Sequence, residues 1–409
     1  MRLANAILLA AIGPSAAFSQ FPDLGRVRLT FEQRVRYESR EGRNFALART
    51  RLGVSLRAAE WLRLSAMAQD SRAPWYGPGA PNTVRDSIDL QEAYVELFGD
   101  RKSGFGMTAG RMMLNYGEAR LLGSPQWSNL SRTWDHARLY YRLPKARLEA
   151  LMVSPVKIRI GEFNRPVLGD RIWGTYNAFP NFCRKNLLEV YLLRHDQNQP
   201  GAVKLGVNTL GFRLGGPFAA GSSFSVEAAL QTGKAGLATH RAGAWFASLS
   251  RRWTVGKRTL DLSGEHKFAS GTDDPSDSSR SGTFDQLYPA NHDKFGHQDL
   301  FGWRNIHDAR SLAAWGLTKS LALNFMYNSF WLASARDSLY HGSGRSLARS
   351  GAGAAGRHVG QEADLFATVK YNHFQFGAGY GRFFKGGFIN QTMPALRPTY
   401  LYVFHTLSF

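Results

Sequence analysis

The sequence has a single cysteine, Cys183, so no intramolecular disulfide can form and a disulfide-stapled scaffold is excluded. After the N-terminal segment it also lacks any run close to the 18 or so consecutive apolar residues that a membrane helix needs. This excludes a helical membrane protein. No Pro-rich or Ser-rich linker and no change of patterning divides the chain. We therefore expect one domain after the N-terminal segment.

Acidic residues are scarce relative to basic ones: 31 Asp and Glu face 51 Lys and Arg, which gives a formal net charge of +20. Such a charge suits nucleic acid, anionic lipid or an anionic solute. The opening "MRLANAILLAAIGPSAAFSQ" has a basic start, an apolar stretch and then small residues, which predicts a signal peptide over residues 1–19. A buried N-terminal helix is the alternative. Because secretion separates the chain from nucleic acid, we expect no nucleic-acid partner.

The dominant pattern is two-residue alternation. In "VRLTFEQRVRY", residues 27–37, apolar side chains alternate with polar or charged ones, as in a strand with two different faces. Regular repeats of the pattern lie at 45–58, 62–69, 90–97, 136–143, 259–268, 362–371 and 399–409. Less regular candidates lie near 104–112, 146–155, 172–179, 186–195, 203–214, 222–233, 240–252, 301–316, 320–331 and 374–384. This makes about 18 strands, most of which reach the roughly 9 to 11 residues that cross a bilayer.

The lengths of the connections indicate how these strands are arranged. Short gaps follow the even strands, whereas most gaps after odd strands are long: 71–87, 113–132, 156–171, 270–300, 332–360 and 385–397. Short periplasmic turns and long external loops are typical of bacterial outer-membrane barrels. A soluble β-sandwich or propeller, the alternative, does not explain this rhythm. The sequence thus predicts an all-β fold: a single closed antiparallel transmembrane β-barrel of about 18 strands over residues 20–409, in the outer membrane of a Gram-negative-type cell.

Aromatic residues support this prediction. The last strand alternates and ends on Phe409, which resembles the signal read by the outer-membrane assembly machinery. Aromatics that could form girdles at the two interfaces, or simply pack, are Tyr140, Tyr141, Trp245, Trp253, Trp315 and Trp331.

A sheet in lipid must close with its apolar face outward, so the polar face lines the lumen. The side chains expected to face lipid are Val27, Leu29, Phe31, Ala46, Leu52, Val54, Leu56, Val95, Leu260 and Leu262. The arginines expected to line the pore and contact its solute are Arg28, Arg34, Arg36, Arg49, Arg51, Arg57, Arg63, Arg138 and Arg142. Carboxylates expected on the same face are Glu32, Glu92, Glu96, Glu149, Glu227, Asp261, Glu265, Glu362 and Asp364. Two roles remain open: bracing the wall through Arg–carboxylate pairs, or forming a basic conduit that selects anions.

Segments spread over residues 49–388 resemble the alginate export family of 18-stranded outer-membrane barrels. They include "RTRLGVSL", "AMAQDSRAPWYG", "AGRMMLNYGEARLLGSPQWSNLSRTWDHARLYY", "FDQLYPANHDKFGHQDLFGWRN", "GQEADLFATVKY" and "FGAGYGRFFKGGF". The resemblance implies passage of an anionic polysaccharide through an arginine-lined pore. Two positions depart from the family, with Met112 where a Gln and Glu118 where an Asp is common. The chain also looks shorter than the pseudomonad exporter, so we expect reduced plugging loops.

Other sites carry less weight. The loop residues Asp273, Asp274 and Asp277 could bind calcium but fit a solvated turn better, because no EF-hand order is present. His292 and His297 lack a third zinc ligand at fixed spacing. An enzyme embedded in the barrel is not expected, because no activated serine accompanies the strand histidines. We expect no cofactor or metal.

Partners should be outer-membrane lipid, an anionic polysaccharide or small anionic solute, and a periplasmic export scaffold if the direction is export. A passive uptake porin for small anions or sugars is the alternative function.

Overall fold

The computed structural model describes residues 25–77, 79–99 and 102–409. The predicted signal peptide lies outside the described residues. Eighteen antiparallel strands form one closed barrel, as predicted. They are β1 Val27–Arg40, β2 Arg43–Ala59, β3 Leu62–Arg72, β4 Asp86–Leu97, β5 Gly104–Met112, β6 Trp134–Leu143, β7 Ala146–Lys157, β8 Asp170–Pro180, β9 Leu187–Gln197, β10 Leu205–Ala219, β11 Ser222–Ala235, β12 Ala238–Val255, β13 Arg258–Ala269, β14 Ile306–Gly316, β15 Leu321–Leu332, β16 His358–Tyr371, β17 Phe374–Lys385 and β18 Thr399–Ser408.

Each strand pairs with its neighbours in the chain, and β1 pairs with both β2 and β18. The junction extends to the last residue, since the N–H of Phe31 donates to the carbonyl of Phe409 at 3.1 Å and the N–H of Phe409 donates back at 2.9 Å. All wall strands therefore have hydrogen-bonded neighbours on both sides, as a sheet in hydrocarbon requires.

Small elements lie outside the wall. The short segments Arg165–Pro166 and Arg280–Ser281 pair with the ends of β7 and β12, and Ser338–Tyr340 pairs with Ser346–Arg349. One helical turn, α1 (Gly387–Thr392), precedes β18. Within the described residues no helix is long and apolar enough to cross a membrane.

The connections alternate as predicted. At the end of the barrel where β1 begins, the connections that the structure describes in full are short: 60–61, 144–145, 181–186, 220–221, 256–257, 317–320 and 372–373. The other end carries the long loops 73–85, 113–133, 158–169, 270–305, 333–357 and 386–398, together with short links at 41–42, 198–204 and 236–237. We refer to these as the periplasmic and external ends.

Side-chain direction agrees with the prediction at all but one of the ten positions. Leu52, Val54, Leu56, Leu260 and Leu262 are exposed on the outer wall, and Val27, Leu29, Phe31 and Val95 are partly exposed. The prediction that Ala46 faces lipid is wrong, because this residue is only 7% exposed. Its N–H donates to the carbonyl of Pro74 in the loop that follows β3. External to the lipid-facing band, β2 is covered by protein.

Five of the six candidate girdle aromatics are exposed: Tyr141, Trp245, Trp253, Trp315 and Trp331. Tyr140 is buried and lies instead under the guanidinium groups of Arg142 and Arg147, each about 4.6 Å from its ring. The girdle prediction therefore does not apply to Tyr140.

A charge placed on the outer wall should destabilise the barrel. Leu52 is 58% exposed midway along β2, so Leu52→Arg should lower the free energy of unfolding from lipid vesicles by about 2 to 4 kcal/mol. Leu237→Arg, in the external link between β11 and β12, should change it by less than about 0.5 kcal/mol. Denaturant titration of both variants checks this. Equal stability of the two variants would contradict the outward assignment of Leu52.

Candidate functional site

All nine predicted pore arginines are described, and four of them lie together in the external half of the lumen. Arg34 and Arg36 on β1 face Arg49 and Arg51 on β2, with Arg34 directly opposite Arg49 in the register. Each is at most 2% exposed. We call these four residues the arginine latch, because their side chains hold loop 113–133 inside the barrel.

The hydrogen bonds of the latch end on the backbone of this loop. Arg34 donates to the carbonyls of Gln126 at 2.8 Å, Trp127 at 2.9 Å and Ser128 at 3.0 Å. Arg49 donates to the carbonyls of Gln126 and Ser128, both at 2.9 Å. Neutral carbonyl oxygens thus accept three hydrogen bonds from Arg34, whereas Arg49 divides its hydrogen bonds between loop carbonyls and Glu32.

The other two latch arginines also bind loop 113–133. Arg36 donates to the carbonyl of Trp127 at 2.6 Å and lies 4.0 Å from the centre of its ring. Arg51 donates to the side chains of Gln126 at 2.9 Å and Ser131 at 3.0 Å. A cation over the face of an indole ring is attracted by the ring electrons. This contact helps Trp127 to anchor the loop.

Wall carboxylates balance part of the charge of the latch. Glu32 lies 2.7 Å from Arg49 and 3.8 Å from Arg51, and Glu38 lies 2.5 Å from Arg36. Two carboxylates among four guanidinium groups leave a basic excess, which the loop carbonyls and the side-chain oxygens of Gln69, Gln126 and Ser131 offset. Removal of the loop would leave this excess facing water.

Loop 113–133 also reaches the opposite wall. Glu118 accepts hydrogen bonds from Ser225 on β11 at 2.6 Å and from Arg213 on β10 at 3.4 Å. Burial alone would raise the pKa of Glu118. Arg120, Ser225 and Arg213 lower this pKa by more than burial raises it, so the net shift is downward. Glu118, one of the two residues that depart from the family pattern, is therefore an ionised residue that attaches the loop to the opposite wall.

A second external loop, 270–305, folds inward and binds the first. Tyr288 exchanges backbone hydrogen bonds with Leu121 at 2.8 Å and Gly123 at 2.9 Å, and Ala290 bonds to Ala119 at 2.9 Å. Buried apolar side chains from both loops pack on inward residues of the wall: Leu114, Leu121, Leu122, Phe284, Leu287, Phe295, Phe301 and Trp303 against Trp134, Val153, Ile172, Phe246, Phe330 and Phe383. The external half of the barrel therefore contains a hydrophobic core to which both of these loops contribute. The expected reduction of plugging loops relative to the family stays a prediction.

Sequence reasoning missed this core, although a signal was present. Strands β7 to β11 carry apolar residues on both faces, such as Val153, Leu193 and Val207, and for that reason alternate irregularly. A strand that meets lipid on one side and an inserted loop on the other needs no polar face.

His292 and His297 serve packing in the second loop. His292 stacks on Trp127 with ring centres 4.4 Å apart, and its Nδ1 lies 2.8 Å from Asp299 Oδ2. His297 stacks on His292 at 4.9 Å, and its Nδ1 lies 3.4 Å from the hydroxyl of Tyr402. Burial, His292 and Arg310 all lower the pKa of His297 well below its ordinary value. The described residues contain no cluster of three or more potential metal ligands.

The acidic loop segment is a solvated turn. Asp274 and Asp277 accept hydrogen bonds from Ser276 and Ser279, and Asp274 is exposed while Asp277 is partly exposed. Such serine–aspartate contacts stabilise turns locally.

The other five predicted arginines lie nearer the periplasmic end. Arg28, Arg57 and Arg63 line an open space of about 400 Å³ with Arg26, which the sequence reasoning did not include, and Glu92. We call this space the basic vestibule. Arg63 pairs with Glu96 at 2.8 Å, and Glu92 accepts from the N–H of Met113 at 2.8 Å.

Arg138 and Arg142 lie further round the wall on β6, beyond β4 and β5. Arg138 lies 3.9 Å from Glu149, and Arg142 donates to the carbonyl of Gly99. The predicted arginines thus form a latch and a vestibule along β1 to β3, plus a separate pair on β6.

Loosening the latch should expose the first loop. Arg34→Gln removes a group that donates to three loop carbonyls, and bonds to charged groups contribute about 1.5 to 3 kcal/mol each. We expect trypsin added from outside to cut after Arg120 at least tenfold faster than in the parent. Arg72→Gln, on the outer wall where Arg72 bonds Asp70, should leave the rate unchanged. Unchanged cleavage in Arg34→Gln would show that the latch does not hold the loop.

The second loop should loosen as the pH falls. A histidine whose pKa is lowered in the packed loop binds protons more readily once the loop opens, so packing is weakened progressively below about pH 6.5. Hydrogen exchange of residues 282–305, corrected for its intrinsic pH dependence, should therefore speed up between pH 7 and pH 5. His297→Gln should flatten this dependence, whereas an equally steep one would rule out His297 as its source.

Comparison with known proteins places this geometry in a family. A family model described as alginate export matches residues 25–402. No curated protein matches the sequence significantly.

Among solved structures, OpdK of Pseudomonas aeruginosa superposes with a TM-score of 0.64 at 13% identity, covering 94% of this chain and 99% of that one. OccD3 of the same organism gives 0.61 at 15% identity, covering 93% and 90%. OccK2, whose structure is in complex with glucuronate, gives 0.61 at 11% identity, covering 94% and 98%.

These matches point to a transport channel rather than an enzyme. Since the family model covers nearly the whole chain and the fold is that of outer-membrane porins, the protein belongs to the alginate export family and is a channel-type β-barrel of the Gram-negative outer membrane.

Proposed function

We propose that the channel passes an anionic polysaccharide, an alginate-like exopolymer, along its arginine-bearing lumen. The observation that carries the proposal is the basic vestibule, where Arg26, Arg28, Arg57 and Arg63 outnumber the single lining carboxylate, Glu92. A guanidinium can bind a carboxylate through two parallel hydrogen bonds. A uronate polymer presents one carboxylate on each sugar, so successive arginines would bind successive units.

The position of the vestibule fits export. It opens at the periplasmic end, where the start of β1 and the end of β2 lie, so a polymer leaving the cell would meet these charges first. A periplasmic scaffold that delivers the polymer is part of the proposal. The latch arginines lie farther along the same wall and would become available to the polymer only where loop 113–133 gives up its carbonyl contacts.

The second candidate function is a passive porin for small anions or sugars. The observation that favours it is the hydrophobic core formed by the two inserted loops, which narrows the external half of the lumen. A protein with the same fold, OccK2, is described in complex with glucuronate, which makes single uronates a reasonable probe. The two candidates differ in how many sugar units bind at once.

The charge of the vestibule is tested by ion selectivity. In planar bilayers under a salt gradient the parent should prefer anions, and the preference should weaken above about 0.15 M salt, where charges are screened beyond about 8 Å. The variant Arg28→Gln, Arg57→Gln, Arg63→Gln should move the reversal potential towards zero. A matched variant of three outer-wall arginines, Arg72→Gln, Arg171→Gln, Arg241→Gln, should not. Cation preference in the parent, or an unchanged potential in the folded vestibule variant, would contradict an anion-selecting role.

The length of the blocking solute separates the two functions. If the channel carries polymer, uronate oligomers added on the periplasmic side should block the current at concentrations at least tenfold lower than monomeric glucuronate. The vestibule variant should lose this advantage. Equal block by monomer and oligomer would favour the passive porin.

A further inference from the structure

A depression of about 530 Å³ lies at the periplasmic edge of the barrel, between the turn joining β12 to β13 and the turn joining β14 to β15. Its lining is Val255, Lys257, Arg258, Leu317, Thr318 and Lys319. None of these residues belongs to the latch or the vestibule. The lining combines three cations with two large apolar side chains and has no carboxylate.

Strand alternation places the depression on the outside of the wall. Phe246 on β12 is buried inside the barrel, so Val255, an odd number of residues away, points outward and is 78% exposed. Lys267 is buried inside on β13, which puts Arg258, at the start of that strand, outside. Trp315, two residues before Leu317 near the end of β14, is also exposed on the outer wall. The depression therefore opens towards the bilayer.

Just external to it, three apolar side chains form a row across the same strands. Trp253 pairs in register with Leu260, and Leu260 pairs with Trp315. All three are exposed on the outer wall. Tryptophan is enriched at the level of lipid headgroups, where its ring meets both apolar and polar surroundings. The row marks the periplasmic membrane interface and leaves an apolar strip at Leu260 between two indoles.

The cations of the depression have no carboxylate partner among the described residues. Lys257, Arg258 and Lys319 make no ion pair within the parts of the chain that the structure describes, and all three are exposed. The nearest strand carboxylate, Asp261, lies on the inner face and pairs with Arg252 at 2.5 Å. Three clustered cations without a partner repel one another, so an anion supplied from outside the protein would relieve that repulsion.

We propose that this depression binds an anionic phospholipid of the periplasmic leaflet. The phosphate of the headgroup lies among Lys257, Arg258 and Lys319, and the acyl chains run past Val255 and Leu317 along Leu260 between Trp253 and Trp315. A free phosphate would satisfy the cations but not the apolar floor, and this floor makes a lipid the better fit. Juxtamembrane cations each favour anionic lipid by about fivefold.

The test is lipid binding to the whole folded protein in detergent, measured by native mass spectrometry. Phosphatidylglycerol should bind to the parent about tenfold more tightly than phosphatidylethanolamine. The variant Lys257→Gln, Arg258→Gln, Lys319→Gln should bind phosphatidylglycerol at least tenfold more weakly than the parent. The matched variant Lys145→Gln, Arg184→Gln, Lys185→Gln removes the same charge from two other periplasmic turns and should bind like the parent.

Two further arms keep the outcome decisive. Glycerol 1-phosphate, which has the anion without the acyl chains, should not compete with phosphatidylglycerol at tenfold excess, and the single variants Lys257→Gln and Lys319→Gln should each weaken binding about threefold if the triple variant does not fold. Equal phosphatidylglycerol binding in parent and site variant would overturn the proposal. So would equal losses in the site and matched variants, or full competition by glycerol 1-phosphate.

Discussion

The constraint on which the structure depends is that no backbone polar group can stay unpaired in hydrocarbon. The chain meets it by pairing each strand with its neighbours and by joining β1 to β18, down to the reciprocal hydrogen bonds between Phe31 and Phe409. Once the barrel is closed, the two faces of each alternating strand have different surroundings. One face must meet lipid, and the other must meet whatever fills the interior.

Two different solutions fill that interior. Along β1 and β2 the inner face is charged, and the buried guanidinium groups of the latch are satisfied by Glu32, Glu38 and the carbonyls of loop 113–133. Burying a cation without such partners would be costly. Elsewhere on the wall, apolar inward residues such as Ile172, Phe246 and Phe330 pack on the inserted loops, beside buried ion pairs such as Lys267 with Asp308. Loop 113–133 therefore accepts hydrogen bonds from buried arginines on one side and packs against apolar side chains on the other.

This arrangement separates arginines that hold the inserted loop from arginines that line open space. Arg34 and Arg49 donate hydrogen bonds to the loop, whereas Arg28 and Arg57 line open space at the periplasmic end. Both groups share one parity on the same two strands, so no local feature of the sequence distinguishes them. Their different roles follow from how far along the strand each residue lies relative to the inserted loops.

The sequence by itself determined the barrel, the approximate strand count, the alternation of short turns and long loops, and the outward direction of residues such as Leu52 and Leu262. These features depend on local periodicity and on the bilayer, and both act on each strand independently. Only the tertiary structure decided where loops 113–133 and 270–305 go, why Ala46 is covered, and why His292 and His297 stack on Trp127. Those contacts join residues far apart in the chain, and their energies depend on the curvature and register of the closed wall rather than on any local pattern.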